Sequence, residues 1–269
     1  MIQYRNNYVT IFESQLFKTT STVIQTDDCV IVVDPTWLPN EVEKIRQYVN
    51  KVKKKRPVYL LFTHSDWDHI LGYGAFPDAT VIGSEQLSER NDKEQIIEQI
   101  QLFDSKYYLD RDYPIVYPNI DLVVREEGQV INIGNTSLTF YIANGHTDDG
   151  LFTIVEPYGI WIAGDYLSDV EFPYIYFSSD KYEETLAKTE FILKNHNVSL
   201  LIPGHGHVTE SIEEIQKRKE VSLNYIKKLR NAIVNEHDSL HLLENYSYIR
   251  GMKAFHEANI NLIKGELSR

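Results

Sequence analysis

Residues 58–69 read VYLLFTHSDWDH, an apolar run that passes directly into a dense group of histidine and aspartate side chains. The first five residues have the β-branched and aromatic composition of a buried strand. His64, Asp66, Asp68 and His69 then follow within six positions. A short loop after a strand can direct alternate side chains into one cleft, and a helix that starts at Asp68 can reach a neighbouring position. Imidazole and carboxylate groups in this pattern indicate a binding site for zinc, iron or manganese.

Three later segments supply further candidate ligands, and each follows a predicted strand. His146 lies in the sequence NGHT, Asp165 in AGD, and His205 in PGHG. The neighbouring glycines permit tight turns and a close approach of the backbone. One such residue is weak evidence by itself, but the three together, in this order after residues 58–69, form a specific pattern.

This ordered set resembles the metallo-β-lactamase superfamily, whose members carry a His-x-His-x-Asp-His loop, then a single His, a bridging Asp and a final His. The resemblance covers roughly residues 8–210. It implies an α/β fold, specifically an αββα four-layer sandwich with the metal cleft at one edge of its two sheets. We expect a metallo-β-lactamase-like domain over residues 1–210 and a helical C-terminal extension, residues 211–269, packed on the same domain.

The resemblance also implies a site for two divalent metal ions, most simply zinc, with iron or manganese as alternatives. One ion is expected to bind His64, Asp66 and His146, the other Asp68, His69 and His205, and Asp165 is expected to bridge them. Asp68 is in addition the expected catalytic residue, which accepts or relays a proton.

Asp66 departs from the family pattern, which usually has histidine at this position. The replacement keeps a ligand-capable side chain but makes it an anionic oxygen donor, which favours iron or manganese relative to zinc. Flavodiiron-type members of the superfamily carry a carboxylate here. Asp66 therefore leaves the metal identity open.

The expected activity is hydrolysis of an ester, lactone, thioester, amide or phosphoester bond by a metal-bridging hydroxide, because two divalent ions make water a nucleophile and polarise the attacked group. Two alternatives stay open. The first is a diiron oxidoreductase or oxygenase, which would need a partner flavoprotein if it were a flavodiiron reductase. The second is a metal-binding sensor without turnover.

Composition narrows the class of partner. The chain of 269 residues has a formal net charge of −12, which disfavours a nucleic-acid-binding surface. Its single cysteine, Cys29, excludes a disulfide within the chain. No apolar run approaches the ~20 residues of a membrane span, and no signal-peptide pattern opens the chain. We therefore expect a cytoplasmic protein that acts on a small-molecule substrate.

Several residues have two open interpretations. Asp34 either orients a metal ligand or caps a turn, and Thr63 bonds either a ligand or the loop backbone. The aromatic residues between Phe172 and Phe177 either line a substrate pocket or fill the core. The helices after Ser211 either cover the cleft or form a homodimer.

Overall fold

Two β-sheets lie face to face in the computed structural model of the chain, which describes residues 1–268, and helices cover both outer faces. The first sheet has seven strands in chain order: β1 (Ile2–Arg5), β2 (Val9–Glu13), β3 (Thr20–Gln25), β4 (Val30–Val33), β5 (Val58–Leu61), β6 (Thr80–Ser84) and β7 (Leu122–Val124). Strands β1 to β4 pair antiparallel, and β4 to β7 pair parallel. This mixed sheet carries the segment that begins at Val58.

The second sheet has five strands in the order β12-β11-β10-β9-β8. They are β8 (Val130–Ile133), β9 (Thr136–Ile142), β10 (Leu151–Glu156), β11 (Ile160–Ile162) and β12 (Leu200–Ile202). Only the β11–β12 pair is parallel. The parallel pairing makes the chain leave β11 and β12 at the same edge, which is the edge that carries Asp165 and His205.

Seven α-helices flank the sheets in the described part of the chain: α1 (Pro39–Lys53), α2 (Trp67–Ile70), α3 (Glu85–Glu89), α4 (Lys93–Tyr107), α5 (Ser179–Asn195), α6 (Ile212–Val234) and α7 (Ile249–Leu267). Two 3-10 turns, Tyr73–Ala75 and Leu240–Leu243, complete the regular structure. None of the helices within residues 1–268 is long and apolar enough to cross a membrane.

Alternating side chains explain why β4 is apolar throughout. Val30 and Val32 pack in a cluster with α1 and α4, whereas Ile31 and Val33 pack in a separate cluster between the two sheets. A strand covered on both faces must be apolar at every position, because successive side chains point to opposite sides. One cluster thus lies between the first sheet and its helices and another lies between the two sheets, which confirms the expected αββα sandwich.

The C-terminal helices share a hydrophobic cluster with the second sheet. Phe152 and Ile154 of β10 face this cluster, to which α6 contributes Ile226 and α7 contributes Met252 and Ile263. The helical C-terminal part is therefore present as expected. The division at residue 210 and the homodimer stay predictions.

Polar and apolar residues at helical spacing from Ser84 to Phe103, with Ser84 as the N-cap, predict one helix, and the structure corrects this prediction. Ser84 does cap the start, because its hydroxyl accepts the N–H of Leu87, but α3 ends at Glu89 and α4 begins at Lys93. Arg90 leaves the helical conformation between them and binds Asp148 at 2.8 Å. The helix is thus interrupted at Arg90, which forms a long-range ion pair with Asp148. Helix α4 also extends four residues further than predicted.

Candidate metal centre

The candidate ligands lie where strands of both sheets end. His64 and Asp66 follow β5, and Asp68 and His69 lie in the short helix α2 directly after them. The other three follow three strands of the second sheet: His146 after β9, Asp165 after β11 and His205 after β12. The face-to-face packing of the sheets brings these loops together at one edge, where a rigid scaffold can position chemically active side chains.

The first group of side chains consists of His64, Asp66, His146 and Asp165, whose ligand atoms lie within 4.8 Å of one another. Nε2 of His146 is 3.2 Å from Oδ2 of Asp66 and 3.3 Å from Oδ2 of Asp165. Nε2 of His64 is 3.7 Å from the same Asp165 oxygen. These four side chains form one compact set of nitrogen and oxygen donors.

The second group consists of Asp68, His69 and His205, again with ligand atoms within 4.8 Å of one another. Nε2 of His205 is 3.6 Å from Oδ2 of Asp68. Asp165 reaches this group as well, since its Oδ1 is 3.2 Å from Nε2 of His69 and its Oδ2 is 3.3 Å from Nε2 of His205. Asp165 therefore lies between the two groups.

Hydrogen bonds fix the tautomers of all four histidines. Nδ1 of His146 donates to the backbone carbonyl of Tyr174 at 2.7 Å, and Nδ1 of His205 donates to that of Phe17 at 2.9 Å. Nδ1 of His69 donates to Asp34 at 3.0 Å. A neutral imidazole with its proton on Nδ1 has its free lone pair on Nε2. The three Nε2 lone pairs thus face the centre.

Thr63 fixes the fourth histidine indirectly. Its hydroxyl donates to Oδ2 of Asp34 at 2.6 Å, so it can only accept at 2.9 Å from Nδ1 of His64. The backbone N–H of Thr63 also donates to Asp34. Of the two interpretations that the sequence left open for Asp34, the hydrogen bonds support the orientation of ligands, and Thr63 bonds both the ligand His64 and Asp34.

Unpaired polar atoms show that the residues fit a metal ion. Nε2 of His64, Nε2 of His146 and Oδ1 of Asp165 are buried and accept no hydrogen bond from any residue between 1 and 268. Buried polar groups are normally paired, because burying them without a partner costs free energy. A cation bound among these atoms would satisfy them together.

The charges in the centre also indicate that these residues fit a metal ion. Burial lowers the pKa of His64 to about 3, so this imidazole is neutral. Burial opposes charge on His69 and His146 too, but the neighbouring carboxylates, Asp165 foremost, outweigh it and raise the pKa of both. The three carboxylates therefore attract a cation, and a metal ion competes with protons for the same nitrogens.

Two glycines permit this close packing. A Cβ atom on Gly204 would lie 2.2 Å from Oδ1 of Asp165, and one on Gly145 would lie 2.3 Å from the backbone nitrogen of Tyr182. Gly145 also has φ +130°, which side chains other than hydrogen rarely allow. The glycines beside His146 and His205 are therefore required by the geometry of the centre.

Some of the aromatic residues between Phe172 and Phe177 lie in the core and others lie beside the site. Phe172 and Tyr174 are buried in the core, whereas Tyr176 and Phe177 are exposed and line a cavity of about 470 Å³ beside Asp66. His207, two positions after His205, is exposed, pairs with Asp169 at 2.8 Å and belongs to neither group of candidate ligands.

His256 lies in α7 and is fully buried. It bonds Tyr225 and Ser239, each at 2.8 Å. Their neutral hydroxyl groups satisfy both ring nitrogens, which explains how a histidine can be buried there.

Some groups that support the centre were missed in the sequence. The segment that holds His146 is fixed by Asn259 of α7, whose amide donates to the Pro173 carbonyl at 2.7 Å and accepts from Ile175 N–H at 2.9 Å. Glu171 lies near His205. Neither residue belongs to a recognisable motif, so only the folded chain reveals them.

Comparison with known proteins agrees with this fold and site. The family model described as the metallo-β-lactamase superfamily matches residues 15–205. A type 2 metallo-β-lactamase from Bacillus sp. (strain 170) is 23% identical over 206 residues, which span 73% of this chain and 70% of that protein. The chain therefore belongs to the metallo-β-lactamase superfamily.

Solved structures of low identity share the fold. A metallo-β-lactamase family protein from Thermus thermophilus superposes with a TM-score of 0.68 at 16% identity, over 97% of this chain and 92% of that one. A B3 metallo-β-lactamase described as having an active-site glutamic acid gives a TM-score of 0.55 at 18% identity, over 83% and 88% of the two chains. At these identities the similarity supports the architecture alone.

Proposed function

We propose that this protein is a dinuclear metal-dependent hydrolase that cleaves an ester, lactone, thioester or phosphoester bond of a small molecule. The observation that carries the proposal is the convergence of four histidine Nε2 atoms and three carboxylates in two groups joined by Asp165. His64, Asp66 and His146 would hold one ion, and Asp68, His69 and His205 the other. Two bound divalent ions supply Lewis-acid activation of a carbonyl or phosphoryl group and a water nucleophile at neutral pH.

Asp68 is the residue that we assign to proton transfer. Its side chain is 13% exposed and lies 3.6 Å from each of His69 and His205. Burial raises the pKa of Asp68, and the two histidines only partly offset this effect. A carboxylate at the candidate centre could accept a proton from the reacting water and return it to the leaving group.

Zinc is our first choice of metal, and Asp66 is the reason to test iron and manganese. An oxygen donor beside His64 and His146 makes the first group harder than a set of three imidazoles. The same feature supports the second candidate function, a diiron oxidoreductase, which would require an external electron donor.

Elemental analysis of the purified protein is the first experiment. About two zinc or manganese ions per chain, together with turnover of one class in a panel of esters, lactones, thioesters and phosphoesters, is the expected result. About two iron ions, with oxygen consumption in the presence of a reductant and no hydrolysis, would favour the oxidoreductase.

Asp165→Asn tests the shared ligand in the same assay. We expect loss of metal and of turnover, because an amide lacks the charge that two cations share. Asp121→Asn is a matched control, since Asp121 accepts the N–H of Val81 and belongs to neither ligand group. Full metal content and activity in Asp165→Asn would contradict the proposal.

A further inference from the structure

Residues 51–56 contain five cations in six positions, within a chain whose formal net charge is −12. Helix α1 ends at Lys53, so Lys51 and Lys53 lie in its last turn, whereas Lys54, Lys55 and Arg56 lie beyond it. Basic residues in the last turn of a helix complement its dipole, but this effect falls off outside that turn. The dipole of α1 therefore does not account for the three cations that follow the helix.

Arg56 holds this segment in a defined turn. Its guanidinium donates to the backbone carbonyls of Thr26 and Val52, and its backbone N–H donates to the carbonyl of Lys53 at 2.9 Å. These hydrogen bonds tie the turn to the end of α1 and to the connection between β3 and β4. The lysine turn, residues 53–55, is thus an ordered structure and not a frayed helix end.

The side chains of the lysine turn have no partner of opposite charge in the described part of the chain. Lys53, Lys54 and Lys55 form no ion pair with any carboxylate between residues 1 and 268, although the chain has 39 acidic residues. The nearby Arg46 differs, because it binds Glu43 at 2.6 Å and also binds Asp112. Three positive charges are therefore available to an external partner.

The lysine turn forms one rim of a cavity of about 630 Å³, the basic groove, between the end of α1 and the segment that precedes β6. Two carboxylates also line the groove, but Glu43 pairs with Arg46, and Asp78 pairs with no cation that the structure describes. The remaining walls are mainly apolar and consist of Val49, Val58, Ala75, Phe76, Pro77 and Ala79. The basic groove thus combines apolar walls with a cationic rim.

The basic groove is separate from the candidate metal centre. None of the candidate ligands lines it. Arg56 and Pro57 lead into β5 at one end, whereas His64 follows β5 at the other end. A molecule in the basic groove would therefore not be the substrate of the proposed reaction.

The donors of the basic groove suit several separated carboxylates better than one phosphate group. Phosphate sites commonly use the N-terminus of a helix, whereas α1 ends here with its C-terminus, which carries partial negative charge. The guanidinium groups of Arg46 and Arg56 could bind a phosphate at two points, but both already have acceptors. The remaining donors are ammonium groups on flexible stems at three successive positions.

The overall charge of the chain limits the size of the partner. A long polyanion or an anionic membrane would extend beyond the basic groove and meet the surface of a protein with a net charge of −12. A short peptide avoids this repulsion. Its carboxylates can pair with the lysine turn while its apolar side chains cover the apolar walls.

We propose that the basic groove docks a short acidic segment of a partner protein, in which glutamate or aspartate side chains alternate with apolar ones. The lysine turn binds the carboxylates, and the walls formed by Val58, Phe76 and Ala79 receive the apolar side chains. The inference does not rest on the proposed hydrolase function, because no candidate metal ligand takes part in it. It assigns a protein-interaction surface to the end of the first sheet that is remote from the metal centre.

Fluorescence anisotropy of a labelled peptide of about twelve residues, in which glutamates alternate with leucine and phenylalanine, tests the proposal. We expect the peptide to bind the wild type and to dissociate as salt is added, because screening shortens the Debye length from about 10 Å at 0.1 M to about 3 Å at 1 M. In Lys53→Gln/Lys54→Gln/Lys55→Gln the Kd should rise roughly tenfold, since three weak surface ion pairs are lost together. Absence of binding to the wild type, or an unchanged Kd in this variant, would overturn the proposal.

A matched variant controls for the change in net charge. Lys194→Gln/Lys227→Gln/Lys228→Gln removes the same three charges at exposed positions on α5 and α6, and it should leave the Kd unaltered. A peptide with glutamine in place of every glutamate should bind at least about tenfold more weakly than the acidic peptide. A peptide with serine in place of leucine and phenylalanine should also bind more weakly. Equal binding of the acidic and the glutamine peptide would refute the charge recognition.

Other occupants of the basic groove are distinguished in the same assay. Pyrophosphate, an oligothymidylate of about twelve nucleotides and phosphatidylserine vesicles serve as competitors, and each should displace the peptide only weakly. Tighter binding of any of them that is lost in the variant of the lysine turn would overturn the assignment to a peptide. A wild-type dimer that dissociates in this variant, measured by sedimentation, would instead identify an interface between copies of this chain and would also overturn it.

Metal content separates this inference from the proposed function. The variant of the lysine turn should keep the metal content and the turnover of the wild type, because the basic groove contains no candidate ligand. If no substrate is hydrolysed but the acidic peptide binds as expected, the hydrolase function is wrong and the interaction surface stands. Loss of metal in this variant would contradict the assignment of a separate surface.

Discussion

Nδ1 of His69 donates a hydrogen bond of 3.0 Å to Oδ2 of Asp34. The same oxygen accepts the hydroxyl of Thr63, and through that hydroxyl it also determines which nitrogen of His64 carries the proton. One carboxylate outside the ligand set therefore orients a ligand of each group. Outer partners of this kind increase the basicity of metal-binding histidines and hold their rings in place.

Asp34→Asn should weaken metal binding by about 10- to 100-fold. Its amide oxygen can still accept from the Thr63 hydroxyl and from His69, but the NH2 group then faces the backbone N–H of Thr63, which donates to the other oxygen of Asp34. Titration of the metal-free protein against a chromophoric chelator measures this affinity. Asp121→Asn is again the control, since it removes the charge of a carboxylate that accepts only a backbone N–H of the sheet. Equal affinities in both variants would show that Asp34 does not orient the ligands.

The sequence pointed to the candidate ligands because each is a histidine or aspartate in a loop or short helix after an apolar strand, and the structure brings these side chains together in two groups. The groups that orient these side chains were harder to predict from the sequence. His146 and His205 are oriented by the main-chain carbonyls of Tyr174 and Phe17, and any residue type supplies such a carbonyl. The identity of a side chain therefore carries no signal of this role.

Long-range contacts also explain why local patterns failed elsewhere. The break between α3 and α4 depends on Arg90 and Asp148, which are 58 positions apart, so helical spacing within residues 84–103 could not reveal it. The strands β1 and β7 are each only a few residues long and lie at the two edges of the first sheet, so their own composition does not predict them. Such strands depend on pairing with a neighbour more than on their own composition.

Asn259→Leu should weaken metal binding at the first group. The variant loses both hydrogen bonds that hold Pro173 and Ile175, and the carbonyl between them, on Tyr174, is the one that orients His146. We expect roughly tenfold weaker binding of one of two ions, and a loss of about 1–3 kcal/mol in the free energy of unfolding.

Glu266→Gln is the matched control for Asn259→Leu. Glu266 lies in the same helix and accepts the backbone N–H of Ser179 at 2.9 Å, at the start of α5 and outside the Pro173–Ile175 segment whose carbonyl orients the His146 ring. This variant should lose stability in urea unfolding but keep the wild-type metal affinity. If both variants lose metal affinity in proportion to stability, the effect of Asn259 is only structural.

Asp66→His should preserve the fold and shift metal preference toward zinc. Asp66 is 26% exposed, so a larger ring has room, and an imidazole removes one negative charge and one hard oxygen donor from the first group. Competition between zinc and manganese for the metal-free protein, followed by elemental analysis, measures the shift. An unchanged zinc-to-manganese ratio would show that this carboxylate does not control selectivity.

The last prediction concerns pH and His256, whose pKa is lowered by burial although Asp238 and Glu257 oppose the shift. The Tyr225 hydroxyl accepts from Asn259, so its proton points to Nδ1 of His256, and Nε2 donates to Ser239. A second ring proton would therefore oppose the hydroxyl proton of Tyr225. The neutral ring is the form that the buried network accepts.

The sign of the pH effect follows from this shift. In the unfolded chain the histidine pKa is about 6.5, so below that pH the unfolded state binds more protons than the folded state. Stability therefore falls as the pH falls, until the pH reaches the lower pKa that His256 has in the folded protein. The slope from this one residue is at most about 1.4 kcal/mol per pH unit. His256→Gln should lose this acid-side component, whereas His237→Gln, at an exposed position, should keep it. Urea unfolding between pH 7.5 and 5.5 measures how the free energy of unfolding depends on pH. Equal slopes in the wild type and His256→Gln would refute the prediction. A residue whose pKa is the same in the folded and unfolded states cannot contribute to the pH dependence of stability.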